Sequence, residues 1–291
     1  MAKYVYMDGK LVEKDQAKVS VFDHGVLYGD GVFEGIRAYS GRVFKLDEHI
    51  DRLFNSAKVI MLDIPLSKDE FKAAIIQVCK ANGIRDGYIR PVVTRGVGNL
   101  GLAPWTCSNP TVFIIADSVQ LYPKEYYENG MPLVTVATRR NNQEALSPIV
   151  KSLNYLNNIM AKIEARNAGV EEAIMLNTEN YVAECTGDNL FVIQGRTVYT
   201  PPIIAGVLPG ITRATVMELA RLGEYTVKER MITRAELFLS DEMFLTGSAA
   251  EVVPVVKVDG RIIGDGKPGP ITRDLIERFH TYVNAHGTPI A

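Results

Sequence analysis

Ser147-Pro148-Ile149-Val150-Lys151-Ser152-Leu153-Asn154-Tyr155-Leu156 sets one lysine among apolar residues at the mouth of a predicted helix over about 152–168. An ammonium deprived of water sheds its proton more readily than one in solvent, and a lysine so placed becomes a nucleophile able to condense with a carbonyl. The segment points to Schiff-base chemistry at Lys151. Alone, it also fits a helix-end lysine whose stem covers its neighbours while its charge reaches water. Its reading therefore depends on what surrounds it.

Three downstream segments add to it. Tyr181-Val182-Ala183-Glu184-Cys185-Thr186-Gly187-Asp188-Asn189-Leu190-Phe191 places Glu184 among apolar neighbours, and a buried carboxylate needs a partner. An arginine would serve; so would the protonated nitrogen of a pyridine ring, which makes chemical sense beside a carbonyl-condensing lysine. Leu208-Pro209-Gly210-Ile211-Thr212-Arg213-Ala214-Thr215 opens a predicted helix over 211–222. Gly210 frees the backbone to approach a ligand, and the helix start offers unpaired N–H groups and the Thr212 hydroxyl, a set suited to a phosphate monoester. An ordinary cap is the alternative. Thr246-Gly247-Ser248-Ala249-Ala250-Glu251, after the apolar run Met243-Phe244-Leu245, offers similar donors and fits a simple strand-ending turn equally well.

Around these segments the chain alternates elements. Residues 4–12 and 31–46 read as strands with tight turns at Asp8-Gly9 and Ser40-Gly41, and 47–61 as a helix with Ile50, Leu53, Phe54, Ala57, Ile60 and Met61 on one face. Arg52 falls opposite that face, so periodicity predicts it solvated. A second helix, 67–82, ends at Asn82-Gly83, and strands follow at 87–95 and 111–117. Residues 120–132 carry Pro123, Gly130 and Pro132 without apolar periodicity and read as a linker. They divide an N-terminal α+β domain, 1–119, from a C-terminal α/β domain, 133–291, that carries Lys151. The second domain has predicted strands at 133–139, 172–177, 181–185, 189–194, 197–199, 242–246 and 252–258, and further helices at 233–239 and 270–285.

Composition narrows the function classes. A chain of 291 residues, 47% hydrophobic and 23% charged, can bury the cores of two domains. A net charge of −2 with signs interspersed provides no basic surface for nucleic acid. Cys79, Cys107 and Cys185 are odd in number and lack Cys-x-x-Cys spacing, and His24, His49, His280 and His286 are scattered. Neither a disulfide framework nor a metal site is expected. The stretch Met1 to Lys10 reads as strand and turn rather than a leader, and no span reaches transmembrane length. A cytoplasmic protein without membrane contact is the expectation.

One motif points elsewhere. Gly96-Val97-Gly98-Asn99-Leu100-Gly101 follows a predicted strand and matches the dinucleotide fingerprint of a nicotinamide-dependent oxidoreductase, with Asp117 about twenty residues on. The fingerprint works when a helix starts inside it. Pro104 and Pro110 bracket the following residues and leave no room for one, so the segment is expected to be a loop.

Val32-Phe33-Glu34-Gly35-Ile36-Arg37, Tyr88-Ile89-Arg90-Pro91, Lys151 to Tyr155, Glu184 to Asn189, Leu208 to Thr212 and Gly247 to Glu251 stand in an order and spacing that resembles the fold-type IV pyridoxal-phosphate enzymes. Within them the chain is similar to the branched-chain amino acid aminotransferases, from about Tyr4 to Phe279. The resemblance implies a two-domain fold with pyridoxal 5′-phosphate between the domains. It implies amino transfer from leucine, isoleucine or valine to 2-oxoglutarate, at the end of branched-chain biosynthesis or the start of degradation.

By the same resemblance Lys151 would bind the cofactor and shuttle the α-proton, and Glu184 would pair with the ring nitrogen. Tyr155 would bond the phenolic oxygen, while Leu208 and Gly187 would lie against the ring. Arg52, Ile211, Thr212 and Ser248 would take the phosphate; this placement of Arg52 conflicts with its periodicity. Phe33, Tyr155 and the partner subunit's Tyr28 would shape the apolar pocket. Tyr88 and the turn Ser248-Ala249-Ala250 would receive the α-carboxylate, and Arg90 the distal carboxylate of glutamate. A homodimer or larger homo-oligomer is implied. D-amino acid and (R)-amine transaminases and aminodeoxychorismate lyase resemble the chain in the same cofactor residues, and Arg95, near the pocket, could bind a carboxylate differently.

Overall fold

The computed structural model describes residues 2–118 and 121–290. They form two compact units: Met1–Val119, Val150–Asn154 and Val283–Ala291 in the first, Gln120–Ile149 and Tyr155–Tyr282 in the second. Positions 119 and 120, where the sequence sets the start of the linker, lie outside the described residues.

In the first unit the strands are Tyr4–Met7 (β1), Lys10–Glu13 (β2), Gly31–Phe33 (β3), Ile36–Tyr39 (β4), Arg42–Val43 (β5), Gly87–Thr94 (β6) and Thr111–Asp117 (β7). They join the C-terminal strand Thr288–Pro289 in an antiparallel sheet ordered Thr288–Pro289, β5, β4, β6, β7, β1, β2, with β3 also on β6. Asp8 and Gly9 both take positive φ, 45° and 90°, as the two-residue turn between β1 and β2 requires. His24–Tyr28 forms a short helix (α1), and Leu46–Val59 (α2) and Lys68–Ala81 (α3) are the long ones. Ser67 and Glu70 close a reciprocal cap at the start of α3. Ile50, Leu53, Phe71, Ile75 and Val78 from the helices bury against Ile36, Ile89, Val93, Val112 and Ile114 from the strands.

Side chains alternate across a strand, and here the alternation separates two jobs. Val32, Glu34 and Ile36 point to the helix side, leaving Phe33, Gly35 and Arg37 on the other. The predicted strand 31–46 is broken at Glu34-Gly35. Opposite it stands Pro91, whose carbonyl accepts from Glu34 N–H at 2.9 Å but which has no N–H to return.

The second unit holds Met131–Thr135 (β8), Glu172–Leu176 (β9), Val182–Cys185 (β10), Asn189–Gln194 (β11), Thr197–Thr200 (β12), Thr226–Glu229 (β13), Glu242–Gly247 (β14), Glu251–Val258 (β15) and Arg261–Ile262 (β16). Its sheet runs β10-β9-β8-β15-β14-β11-β12-β13, with β16 on β15. The pairs β8–β9, β8–β15 and β12–β13 are parallel. The helices are Lys124–Asn129 (α4), Leu156–Asn167 (α5), Ile211–Leu222 (α6), Arg234–Phe238 (α7) and Pro270–Ala285 (α8), the last continuing into the first unit. Phe191 and Phe244 stack at 4.7 Å between centroids at the middle of the sheet.

Two expectations about domains need correction. The described part of the linker, 121–132, is folded into the second unit: it contains α4 and the start of β8, and Tyr122 is buried in that unit's core. Aromatic packing there does not need a periodic pattern. Lys151 belongs to the first unit, because helix α5 starts at Leu156 instead of 152 and residues 150–154 stay non-helical, bridging to Val32 at Ser152. Phe33 N–H donates to Lys151 O at 3.0 Å and Leu153 N–H to Gly31 O at 2.9 Å. The segment thus satisfies backbone groups that the edge of β3 would otherwise leave open.

Candidate active site

Lys151 stands at the edge of the first unit's sheet, half-buried, with its backbone N–H donating to Ser56 Oγ of α2 at 3.1 Å. Its Nζ lies 4.6 Å from the centroid of the Phe33 ring. The Arg90 guanidinium stacks on the same ring at 4.7 Å and donates from Nη2 to the Tyr88 hydroxyl at 2.7 Å. Arg90 Nε is buried without a hydrogen-bond partner among the described residues. Tyr88 crosses directly over Gly35: a Cβ there would meet its hydroxyl at 2.0 Å, so only glycine leaves room. Phe33, Tyr88, Arg90 and Lys151 are brought together as an amine and a guanidinium over aromatic carbon.

On the helix side, in the break between β3 and β4, Glu34 is fully buried. It accepts from Arg52 Nε at 2.6 Å and Nη2 at 2.9 Å and contacts His49 Nδ1 at 2.7 Å. Burial alone would raise its pKa; the Arg52 guanidinium, and then His49, hold it well below the usual carboxylate range. Burial pushes the His49 imidazole down, against the pull of Glu34. Arg52 is therefore not the solvated residue of the helical wheel. Its side chain is 11% exposed, turned toward Glu34, a residue between β3 and β4 that α2's own periodicity does not register.

Arg95 has a complete structural assignment. It pairs with Asp30 through Nε at 2.9 Å and Nη2 at 3.0 Å, and donates to the carbonyls of Met61 and Ile60 at 2.6 and 2.7 Å. The alternative carboxylate site is spent on tying the loop after β6 to the end of α2. The glycine-rich loop itself starts no helix; Pro104–Thr106 is a single 3-10 turn. Gly96 has φ +88° and would place a Cβ 1.9 Å from Asn109 O. Asn99 O contacts His24 Nε2 at 2.7 Å, and Leu100 O accepts from the Tyr28 hydroxyl.

In the second unit Glu184 is buried at the end of β10. Arg140 Nε donates to its Oε1 at 2.8 Å, and Asn189 Nδ2 and Leu208 N–H donate to Oε2 at 3.1 and 3.0 Å. The arginine expected as one possible partner for Glu184 is present. Asn189 is a hub that no local pattern singles out. Its Nδ2 also donates to Leu208 O at 3.0 Å, its Oδ1 would lie 2.0 Å from a Cβ on Gly210, and it pairs with Thr246 across β11 and β14. The Asn189 side chain therefore ties Glu184 to the segment entering α6, while its backbone pairs with the strand leading into Ser248-Ala249-Ala250.

Helix α6 begins at Ile211 with Gly210 as its N-cap and no side-chain cap; Thr212 is buried in the first turn. Tyr155 occupies the N-cap of α5. One turn on, Asn158 Nδ2 donates to Thr186 O at 2.7 Å, which anchors that helix start to the turn holding Gly187. Gly187 itself faces open space.

The family model described as amino-transferase class IV matches residues 31–258. The chain belongs to the class IV aminotransferase family. Among curated relatives, it is 50% identical over 275 residues to a putative branched-chain-amino-acid aminotransferase of Methanocaldococcus jannaschii, covering 94% of each chain. It is 38% identical over 286 residues to the branched-chain-amino-acid aminotransferase of Pseudomonas aeruginosa, covering 96% of this chain and 92% of that one. The structure matches the Escherichia coli branched-chain amino acid aminotransferase with a TM-score of 0.96 at 34% identity, over 99% of this chain and 96% of that one. The T.th. branched-chain amino acid aminotransferase solved with pyridoxamine 5′-phosphate matches with a TM-score of 0.94 at 38% identity, over 98% of this chain and 95% of that one. The fold is that of the fold-type IV aminotransferases.

Proposed function

We propose that the chain transfers the amino group of L-leucine, L-isoleucine or L-valine to 2-oxoglutarate through pyridoxal 5′-phosphate. The observation that carries this reading is the Lys151 ammonium 4.6 Å from the Phe33 ring, on a sheet face shared with Tyr88 and Arg90. The residues fit the cofactor chemically. An anionic carboxylate with an arginine behind it suits a protonated ring nitrogen, and an uncapped helix start with a buried threonine suits a phosphate. When bound, the cofactor supplies the carbonyl that exchanges with the amino group and a ring that accepts the electron pair left at the α-carbon.

In this reading Lys151 would hold the cofactor and would carry the proton taken from the substrate α-carbon. Glu184 would pair with the ring nitrogen and favour its protonated form. Ile211 N–H, Thr212, Ser248 and Arg52 take the phosphate, with Arg52 aimed by Glu34. Tyr155 bonds the phenolic oxygen, and Leu208 and Gly187 border the ring. Phe33 and the partner subunit's Tyr28 offer apolar surface to a branched side chain. Tyr88 with Ala249 and Ala250 receives the α-carboxylate, and Arg90, whose Nε lacks a partner among the described residues, receives the distal carboxylate of glutamate. Because Arg95 is occupied by Asp30, it gives no support to a different carboxylate pocket.

The reading includes a homodimer or larger homo-oligomer, supported by Phe22, Val26, Leu102 and Trp105, which stand exposed to as much as 85%. It also includes a reducing cytoplasmic setting, supported by the free thiols of Cys79, Cys107 and Cys185. No helix among the described residues is long and apolar enough to cross a membrane. The test is a panel of L-leucine, L-valine, D-alanine and (R)-1-phenylethylamine as donors to 2-oxoglutarate, with glutamate as readout. Fastest turnover with the branched-chain L-amino acids is expected; dominance of D-alanine overturns the substrate assignment.

A further inference from the structure

Four residues beyond Glu184, the same turn buries a second acid in a different environment. Asp188 Oδ2 lies 2.8 Å from the Tyr122 hydroxyl, and that hydroxyl lies 2.9 Å from Glu172 Oε2. Asp188, Glu172 and Tyr122 are all buried. A phenol has one proton and cannot donate to two carboxylates at once. Two carboxylates on one hydroxyl therefore need a further proton, which must reside on one of the acids.

The surroundings decide which acid. Glu172 accepts five hydrogen bonds: Ala173 N–H and Thr186 N–H on Oε1, each at 2.8 Å, and Thr186 Oγ1, Tyr122 and the Lys162 ammonium on Oε2 at 2.8, 2.9 and 3.2 Å. Such a set stabilises an anion. Among the described residues Asp188 has the phenol alone as a side-chain hydrogen-bond partner. The titratable groups facing it are Glu172, Tyr122, Lys162, Glu184 and Cys185, and the one cation among them already serves Glu172. Burial first, then the Glu172 charge, raise the Asp188 carboxyl to about 7.

The other oxygen, Oδ1, would lie 2.0 Å from a Cβ on Gly247. The carboxyl thus packs against the backbone that leads into Ser248-Ala249-Ala250. We propose that Asp188 is a protonated positioning residue: it donates to Tyr122, which donates to Glu172, and as a neutral acid it supports the Gly247 turn. This consequence rests on reading that turn as the receiver of phosphate and carboxylate. An ionised Asp188 would set a negative charge beneath donors meant for anions; the neutral acid does not.

The protonation state is tested without turnover by infrared difference spectroscopy of wild type minus D188N, with pyridoxal 5′-phosphate present. A carboxylic-acid carbonyl band is expected near about pH 6, fading as the pH is raised past about 8. Absence of the band at the lower pH overturns the proposal. Y122F removes the acceptor and is expected to shift the band to higher frequency, and it keeps the test available if D188N does not fold; an unmoved band contradicts the shared proton. The supporting role is read from KM for 2-oxoglutarate, expected to rise several-fold in wild type over the same pH span and to stay flat in D188N. Equal rises in both proteins overturn the role. A band without any transamination would leave the proton in place and remove the functional reading; transamination without the band would do the reverse.

Discussion

The two units each bury a carboxylate cluster beside candidate site residues, and the clusters respond to burial in opposite ways. In the first, Glu34 meets a guanidinium bidentately and an imidazole, and remains ionised well below the usual range. In the second, Asp188 meets another acid through a phenol and is raised to about 7. Burial penalises charge in both; the difference lies in whether a cation is within reach. Acid should therefore loosen the first cluster and alkali the second.

The largest expected effect does not depend on that contrast but on the residue beside it. Lys151→Ala should abolish turnover and remove the visible absorption that borohydride bleaches in the protein with pyridoxal 5′-phosphate added. Retained turnover would show that another group moves the proton.

Glu184→Gln should lower kcat about 100-fold, roughly 3 kcal/mol in the barrier, by weakening the hold on a protonated ring nitrogen. Glu184→Ala should in addition cost about 3–5 kcal/mol of stability, since Arg140 would be left buried without its partner. Melting temperature and steady-state rate, measured together, separate the two. A Gln variant as fast as wild type contradicts the assigned role.

Arg90 and Arg95 sharpen the comparison between an open guanidinium and an occupied one. Arg90→Met should raise KM for glutamate and 2-oxoglutarate about tenfold while leaving KM for leucine nearly unchanged. Arg95→Met should leave both constants close to wild type and cost about 2–4 kcal/mol in a denaturant titration, because Asp30 and two carbonyls lose their donor. If Arg95→Met shifts the substrate constants instead, the occupied arginine has a role that its Asp30 pairing does not predict.

The smallest effect is the pH dependence of the first cluster. His49 is depressed below its ordinary 6.5, so the unfolded chain binds more protons and stability falls as the pH drops past that value. Glu34 is depressed below 4.5, so its contribution, complete above that pH, is lost progressively as the pH falls further. Hydrogen-exchange protection factors in α2 should fall over this acid range in wild type, and the step below about 4.5 should be absent in Glu34→Gln. Identical profiles in the two proteins contradict the assignment of that step to Glu34.

Local patterns suffice for α3: Ser67, Glu70 and the apolar face from Phe71 to Val78 define a helix that needs no distant partner to be recognised. They suffice as well for β6 and β7, where runs of β-branched residues end in turn-formers. What they miss is set by long-range pairing. The predicted helix starts at 152, whereas hydrogen bonds to the open edge of β3 hold residues 151–153 out of α5. The wheel puts Arg52 in solvent because it weighs α2 alone, and Glu34 comes from the break between β3 and β4, 18 residues earlier. At Glu184 the need for a partner is legible, but its supply by Arg140, 44 residues away, is not. Asn189 carries no local mark at all; its importance comes from the three segments it joins.

The central claim is a covalent bond at one nitrogen. Borohydride reduction of the protein with pyridoxal 5′-phosphate, followed by proteolysis and mass spectrometry of the fluorescent peptide, should locate a single pyridoxyl group on Lys151. A modified lysine elsewhere, or reduction that leaves every lysine unmodified, would contradict the account.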